Sequence, residues 1–125
     1  MTILINPSSP TPLYEQIVDQ IKRQIIDGSL PQGTPLPSIR ALAAQVSVSI
    51  ITTKRAYEEL ERDGYIQTLP GRGSIVSAQN RQRLMELHLR EMEGLLEKAV
   101  SAAKAAGIGR EELIQTLSII YGEED

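Results

Sequence analysis

The chain has 125 residues, 41% apolar and 23% charged, with 13 Lys and Arg against 16 Asp and Glu for a formal net charge of −3. That length argues for one domain, or one domain with an appendage, and the composition is too apolar for a disordered chain. Cysteine, Trp and Phe are absent and there is one His, which excludes disulfides, thiolate catalysis and Cys-based zinc sites, fits a reducing compartment, and speaks against the aromatic platforms that bind single-stranded nucleic acid.

The opening Met1-Thr2-Ile3-Leu4-Ile5-Asn6 is short and carries no basic residue, so a secretory signal is not expected. No apolar run approaches the roughly 18–20 residues of a bilayer span; a cytoplasmic protein without a membrane partner is the expectation. Pro10-Thr11-Pro12 announces a first helix, with Thr11 as its cap and Pro12 at its first position, where a missing N–H costs nothing. Leu13, Ile17, Ile21 and Ile25 recur every four residues as one apolar stripe, and Gly28 supplies a left-handed stop. Residues 30–37 hold three prolines and a glycine and read as a loop.

Ser38 is the predicted cap of a short helix with Ile39, Leu42, Ala43 and Val46 on its apolar face. Ser47-Val48 reads as a tight connection. Ser49 caps a second helix running to about Asp63, with Ala56, Tyr57 and Leu60 buried and Gly64 as its stop. The pair has the outline of a helix-turn-helix. Tyr65–Leu69 and Ser74–Ser77 then read as two strands around a Pro70-Gly71-Arg72-Gly73 tip. A Gly-Arg-Gly tip permits positive φ and close approach to another backbone, with an arginine able to reach a groove or a phosphate. The bland reading is a tight turn with a solvated arginine.

From about Ala78 the pattern is helical. Met85, Leu89, Met92, Leu96, Ala99, Ala103 and Ala106 alternate in spacings of four and three as an a/d seam, widened by Leu84, Leu87, Leu95 and Val100. Gly107-Ile108-Gly109 breaks the helix, and a last amphipathic helix from about Arg110 presents Leu113, Leu117 and Ile120, flanked by Ile114 and Tyr121. The expected fold is mainly α (α+β): a winged helix-turn-helix domain over 1–77, followed over 78–125 by a two-helix C-terminal extension.

The runs Pro12-Leu13-Tyr14-Glu15-Gln16-Ile17, Gly28-Ser29-Leu30-Pro31-Gln32-Gly33, Leu36-Pro37-Ser38-Ile39-Arg40-Ala41-Leu42-Ala43, residues 56–66 and Gly71-Arg72-Gly73-Ser74-Ile75-Val76 resemble the N-terminal DNA-binding domain of GntR-family transcription regulators. The match runs in order over about residues 11–77. The remaining 48 or so residues resemble the short dimerising extension of the YtrA-type subfamily and are too few for the effector-binding or aminotransferase-like domains of larger members. The resemblance implies that Arg40 contacts DNA from the helix-turn-helix. It implies that Ser49, Thr52, Thr53 and Lys54 read bases and grip phosphates at the start of the recognition helix, and that Gly71, Arg72 and Gly73 form a wing tip entering the minor groove. It also implies a dimer, for which the apolar pattern offers Met85, Leu89, Met92, Leu96, Ala99, Ala103, Leu113, Leu117 and Ile120; the alternative is that the seam helix folds back onto its own domain. Two positions depart from the family pattern. Ser47 stands where Gly, Asn or a similar turn residue is usual, and Ile50-Ile51 stand where Arg, Pro or Asn is more common. The isoleucines can touch thymine methyls, or Ile51 can pack inward.

Charge by segment is compatible with DNA. Residues 1–77 carry seven basic and seven acidic side chains, and residues 78–125 carry six and nine, which accounts for the whole −3. No Asp or Glu falls between Asp27 and Glu58, where Arg40, Lys54 and Arg55 do, and none falls between Asp63 and Glu86. The expectation is a sequence-specific DNA-binding regulator, a repressor, that binds double-stranded DNA at a palindromic, inverted-repeat operator as a homodimer. The alternative is a winged-helix protein-interaction module without DNA binding. Catalysis is not expected: His88 stands beside the seam, Glu58, Glu59 and Glu61 share a helix with Arg55 and Arg62, and no phosphate loop, metal-ligand spacing or nucleophile motif is present. No cofactor or metal is expected; a small-molecule effector of unknown identity stays open, with a small apolar ligand in the groove between the C-terminal helices as one form of it, although nothing polar in the sequence marks a site there.

Overall fold

A computed structural model describes residues 1–78 and 81–122. Glu123, Glu124 and Asp125, which contribute to the C-terminal acidity, lie outside the described residues, as do residues 79 and 80, where the expected C-terminal helix would begin. The order is α1 (Leu13–Ile26), α2 (Ile39–Val46), α3 (Ile50–Arg62), β1 (Ile66–Leu69), β2 (Gly73–Val76), α4 (Arg81–Ala105) and α5 (Arg110–Tyr121). The chain divides into two compact units, Met1–Met85 and Glu86–Asp125. Leu84, in the first turn of α4, is buried, and that turn belongs to the first unit.

The core of the first unit follows from the apolar stripes. Ile17 and Ile21 of α1, Leu42 of α2, Ala56 and Leu60 of α3, and Tyr65, Val76 and Leu84 are all essentially inaccessible to water. Burial of this kind is the main favourable term in holding three short helices together, since none is long enough to persist alone. Two serines start the helices as expected. Ser38 Oγ accepts from the Ala41 N–H at 3.0 Å, and Ser49 Oγ accepts from the Thr52 N–H at 3.0 Å. The expected Thr11 cap is corrected: Pro12 is the N-cap of α1 and no side chain caps it. Gln16 Nε2 instead donates to the carbonyls of Thr11 and Asn6, at 2.9 and 3.0 Å.

β1 and β2 pair antiparallel with Ile66 opposite Val76 and Leu69 opposite Gly73. The tip closes through the Arg72 N–H donating to the Leu69 carbonyl at 2.9 Å, with Pro70 second in the turn and Gly71 third at φ +73°, the geometry of a type II turn. The other edge of β2 is occupied by the proline loop. Leu36 N–H donates to Ser74 O, Val76 N–H to Thr34 O and Gly33 N–H to Val76 O, each at 2.9 Å. Tyr57 of α3 donates its hydroxyl to Pro37 O at 2.7 Å. The hairpin is thus tied through that loop to the helices.

The N-terminal run is clasped on α1. Gln24, Gln20 and Gln16 bond the backbones of Thr2, Leu4 and Asn6: Gln24 donates to Thr2 O at 2.8 Å, and Gln20 and Gln16 each both donate and accept. Four helical residues advance about 6 Å and two extended residues about 6.6 Å, so the two repeats stay in step over three rungs.

In the second unit, α4 ends where Gly107 takes φ +74° and the Ile108 N–H donates to Ala103 O at 2.8 Å. No helix among the described residues is long and apolar enough to cross a membrane.

Candidate nucleic-acid interface

The helix-turn-helix connection is made by Ser47, the one residue other than glycine with positive φ among the described residues (φ 58°, ψ 45°). Its left-handed backbone lets the Val48 N–H reach Ala43 O at 3.1 Å and turns the chain into α3. Gly or Asn is usual at such a position because an L side chain there crowds its own backbone.

At the start of α3, Ser49 Oγ lies 2.8 Å from Thr52 Oγ1 as well as capping the Thr52 N–H. Thr53 is a correction to the expected reading face. It is fully buried, and its hydroxyl donates to Ser49 O at 3.1 Å. Its position in register with Ala56, Tyr57 and Leu60 explains why: at i+3, i+4 and i+7 they share the inward side of the helix. Ile50 is 43% exposed and Ile51 81% exposed, so Ile51 does not pack inward. Lys54 and Arg55 are exposed. The first turn of α3 contains no acid, leaving the positive end of the helix dipole unopposed.

Arg40 on α2 and Arg72 at the hairpin tip are exposed, and with Lys54 they form no salt bridge among the described residues. Gly71 and Gly73 hold φ of +73° and +75°, and a Cβ added at either meets nothing within 4 Å. The constraint at the tip is therefore backbone conformation and not room. The acids of α3, Glu58, Glu59 and Glu61, all lie beyond its N-terminal turns, and Asp63 is its C-cap. Glu59 and Asp63 pair with Arg62, Asp63 also with Lys22 at 3.7 Å, and Glu61 accepts from Thr68.

Sequence reasoning did not place Tyr14. The Arg55 guanidinium stacks 3.8 Å from the centre of its ring, which fixes a long cation beside the N-terminal turns of α3. The four-residue repeat of Gln16, Gln20 and Gln24 was visible in the sequence but signalled no partner.

On the C-terminal helices, Met85, Leu89, Met92 and Leu96 of α4 and Leu117 and Ile120 of α5 are all more than a third exposed. Ala99 is exposed and Leu113 half-buried. Ala103, expected in the seam, is buried within its own unit, beside a cavity of about 290 Å³ lined also by Val100, Ile108 and Leu113 and by the polar Lys104 and Arg110, which the expectation of no polar groups there did not include.

This geometry has close relatives. The model of bacterial regulatory proteins of the gntR family matches residues 13–76, from the first residue of α1 to the last of β2. The HTH-type transcriptional repressor YtrA of Bacillus subtilis (strain 168) is 39% identical over 121 residues, 97% of this chain and 93% of that protein. The chain belongs to the GntR family. A GntR-family transcriptional regulator from Listeria monocytogenes superimposes with a TM-score of 0.71 at 32% identity, over 91% of this chain and 97% of its own. The DNA-binding domain of AraR in complex with an operator superimposes with a TM-score of 0.54 at 26% identity, over 59% of this chain and 94% of its own. The GntR-type winged helix here is followed by two helices, and the likeness to YtrA runs through them, as expected of the YtrA type.

Proposed function

We propose that this GntR-family chain is a cytoplasmic, sequence-specific transcriptional repressor that binds an inverted-repeat operator in double-stranded DNA as a homodimer, without cofactor, metal or catalytic step. The observation that carries the reading is the set of exposed cations Arg40, Lys54 and Arg72, which no acid pairs among the described residues, combined with an acid-free N-terminal turn on α3. Phosphates are bound by such cations and by helix N-termini, and side chains at the first turn of a recognition helix reach base edges in the major groove. Ser49 and Thr52 set the start of that helix, Arg55 is held by Tyr14, and Arg72 is presented between two glycines for the adjoining minor groove.

The homodimer is supported by apolar surface that the single chain leaves in water. α5 has no buried residue, and Leu89, Met92, Leu95, Leu96, Leu117 and Ile120 are all exposed. Amphipathic helices owe most of their stability to burying such a face. Assignment as a repressor is supported by the name of the relative that matches along nearly the whole chain.

The test is fluorescence anisotropy of the full chain against a duplex it selects from a random-sequence pool. Arg40→Ala and Arg72→Ala should each weaken binding about tenfold or more, as loss of a charge-assisted contact does. Unchanged affinity in both would overturn this assignment, and absence of any DNA affinity would favour a protein-interaction module.

A further inference from the structure

We infer that Ile51, with Ile50 beside it, selects thymine at fixed positions of the operator by packing on the C5-methyl group in the major groove. The inference rests on the DNA-reading role proposed above and names what that face reads. At about 100° per residue, Ile51 and Arg55 lie on the side of α3 opposite the buried Thr53, Ala56, Tyr57 and Leu60. Ile51 is the more exposed of the pair at 81%, with Ile50 at 43%.

The polar residues around them are already engaged. Ser49 Oγ is bonded to both the backbone and the hydroxyl of Thr52, and Thr53 is buried with its hydroxyl on Ser49 O. From Ser49 to Thr53, the two isoleucines are the side chains both exposed and without a hydrogen-bonding commitment. Isoleucine gives a helix start no advantage over alanine or arginine, and its apolar surface gains nothing in water. Lys54 and Arg55 beside them are exposed cations, so the surface that covers this patch is an anionic one carrying an apolar group. Thymine is the DNA base that presents a methyl group to the major groove, whereas guanine and adenine present acceptors and donors that an isoleucine cannot satisfy.

The experiment uses the full chain and a duplex selected by it from a random-sequence pool, resynthesised with deoxyuracil replacing thymine one position at a time. Uracil keeps every hydrogen-bonding group and removes only the methyl. Wild type should bind about fourfold more weakly for each recognised methyl removed, the weight of one buried methyl group. Ile51→Ala, whose melting temperature should match wild type because the side chain is exposed, should bind the thymine and uracil forms alike. An Ile51→Ala variant that keeps the wild-type preference, or a wild type indifferent to uracil at every position, overturns the inference while leaving DNA binding intact. Failure of the pool to yield any bound duplex overturns the DNA-reading role together with it.

Discussion

Ser47 is the one residue other than glycine with positive φ among the described residues, at φ 58°. The left-handed region costs an ordinary L-residue roughly 1–2 kcal/mol, while glycine adds roughly 0.4–1 kcal/mol of unfolded-state entropy. Ser47→Gly should therefore stabilise the protein by about 0.5 kcal/mol in chemical denaturation; destabilisation would mean that the serine hydroxyl supports the turn. Tyr57 shows the opposite case, a residue whose burial is legible and whose consequence is electrostatic. Burial pushes its pKa from 10.0 up to about 12. A raised folded-state value means that this contribution to stability is complete below about pH 10 and is lost as pH rises towards 12. Tyr57→Phe should cost about 1 kcal/mol at neutral pH through the lost bond to Pro37. It should also remove part of the alkaline loss of stability between pH 10 and 12, read by melting temperature across that range. An identical alkaline profile in both proteins would contradict the assignment.

Among the elements, α1 carries an unexpected second duty. Its inward stripe of Ile17, Ile21 and Ile25 builds the core, and its glutamines at 16, 20 and 24 hold the backbone of residues 2–6. Exposed hydrogen bonds contribute little to global stability, so Gln20→Ala should leave the melting temperature nearly unchanged while hydrogen exchange at Leu4 and its neighbours accelerates several-fold. Unchanged protection of that segment would show that the clasp does not hold it. This contrast also explains what the sequence made legible. The Ser38 and Ser49 caps, the Gly28 stop and the hairpin tip are local, written within four residues of where they act. Thr53 was equally legible in principle, since its register with Ala56, Tyr57 and Leu60 marks it as buried, but its chemistry and its place in the recognition helix pointed outward. The Thr11 cap failed because Pro12 took the N-cap itself. The glutamine clasp, the third strand-like edge from residues 33–36 and the Tyr14–Arg55 stack join segments far apart in sequence, so no local pattern announces them.

For the whole molecule, the proposed homodimer is what makes a weakly charged reader effective. One chain offers few cations, and joining two copies raises affinity by orders of magnitude without new contacts to DNA. Leu89→Glu combined with Leu117→Glu places charge on the exposed apolar faces of α4 and α5. It should convert the protein to a monomer in sedimentation velocity and weaken operator binding at least a hundredfold, while the first unit stays folded. A variant that sediments as a dimer would contradict the assignment of that face. Net charge of −3 is no obstacle, because the acid-free stretch between Asp27 and Glu58 includes all of α2 and the N-terminal turns of α3.

The salt dependence of binding tests the central claim most directly. If paired copies of Arg40, Lys54 and Arg72 displace counterions from DNA phosphates, log affinity should fall linearly with log salt concentration, by about 0.9 for each phosphate neutralised. The slope should flatten in Arg40→Ala and again in Arg72→Ala. A salt-independent affinity for the selected duplex, or a slope untouched by both substitutions, would contradict the account.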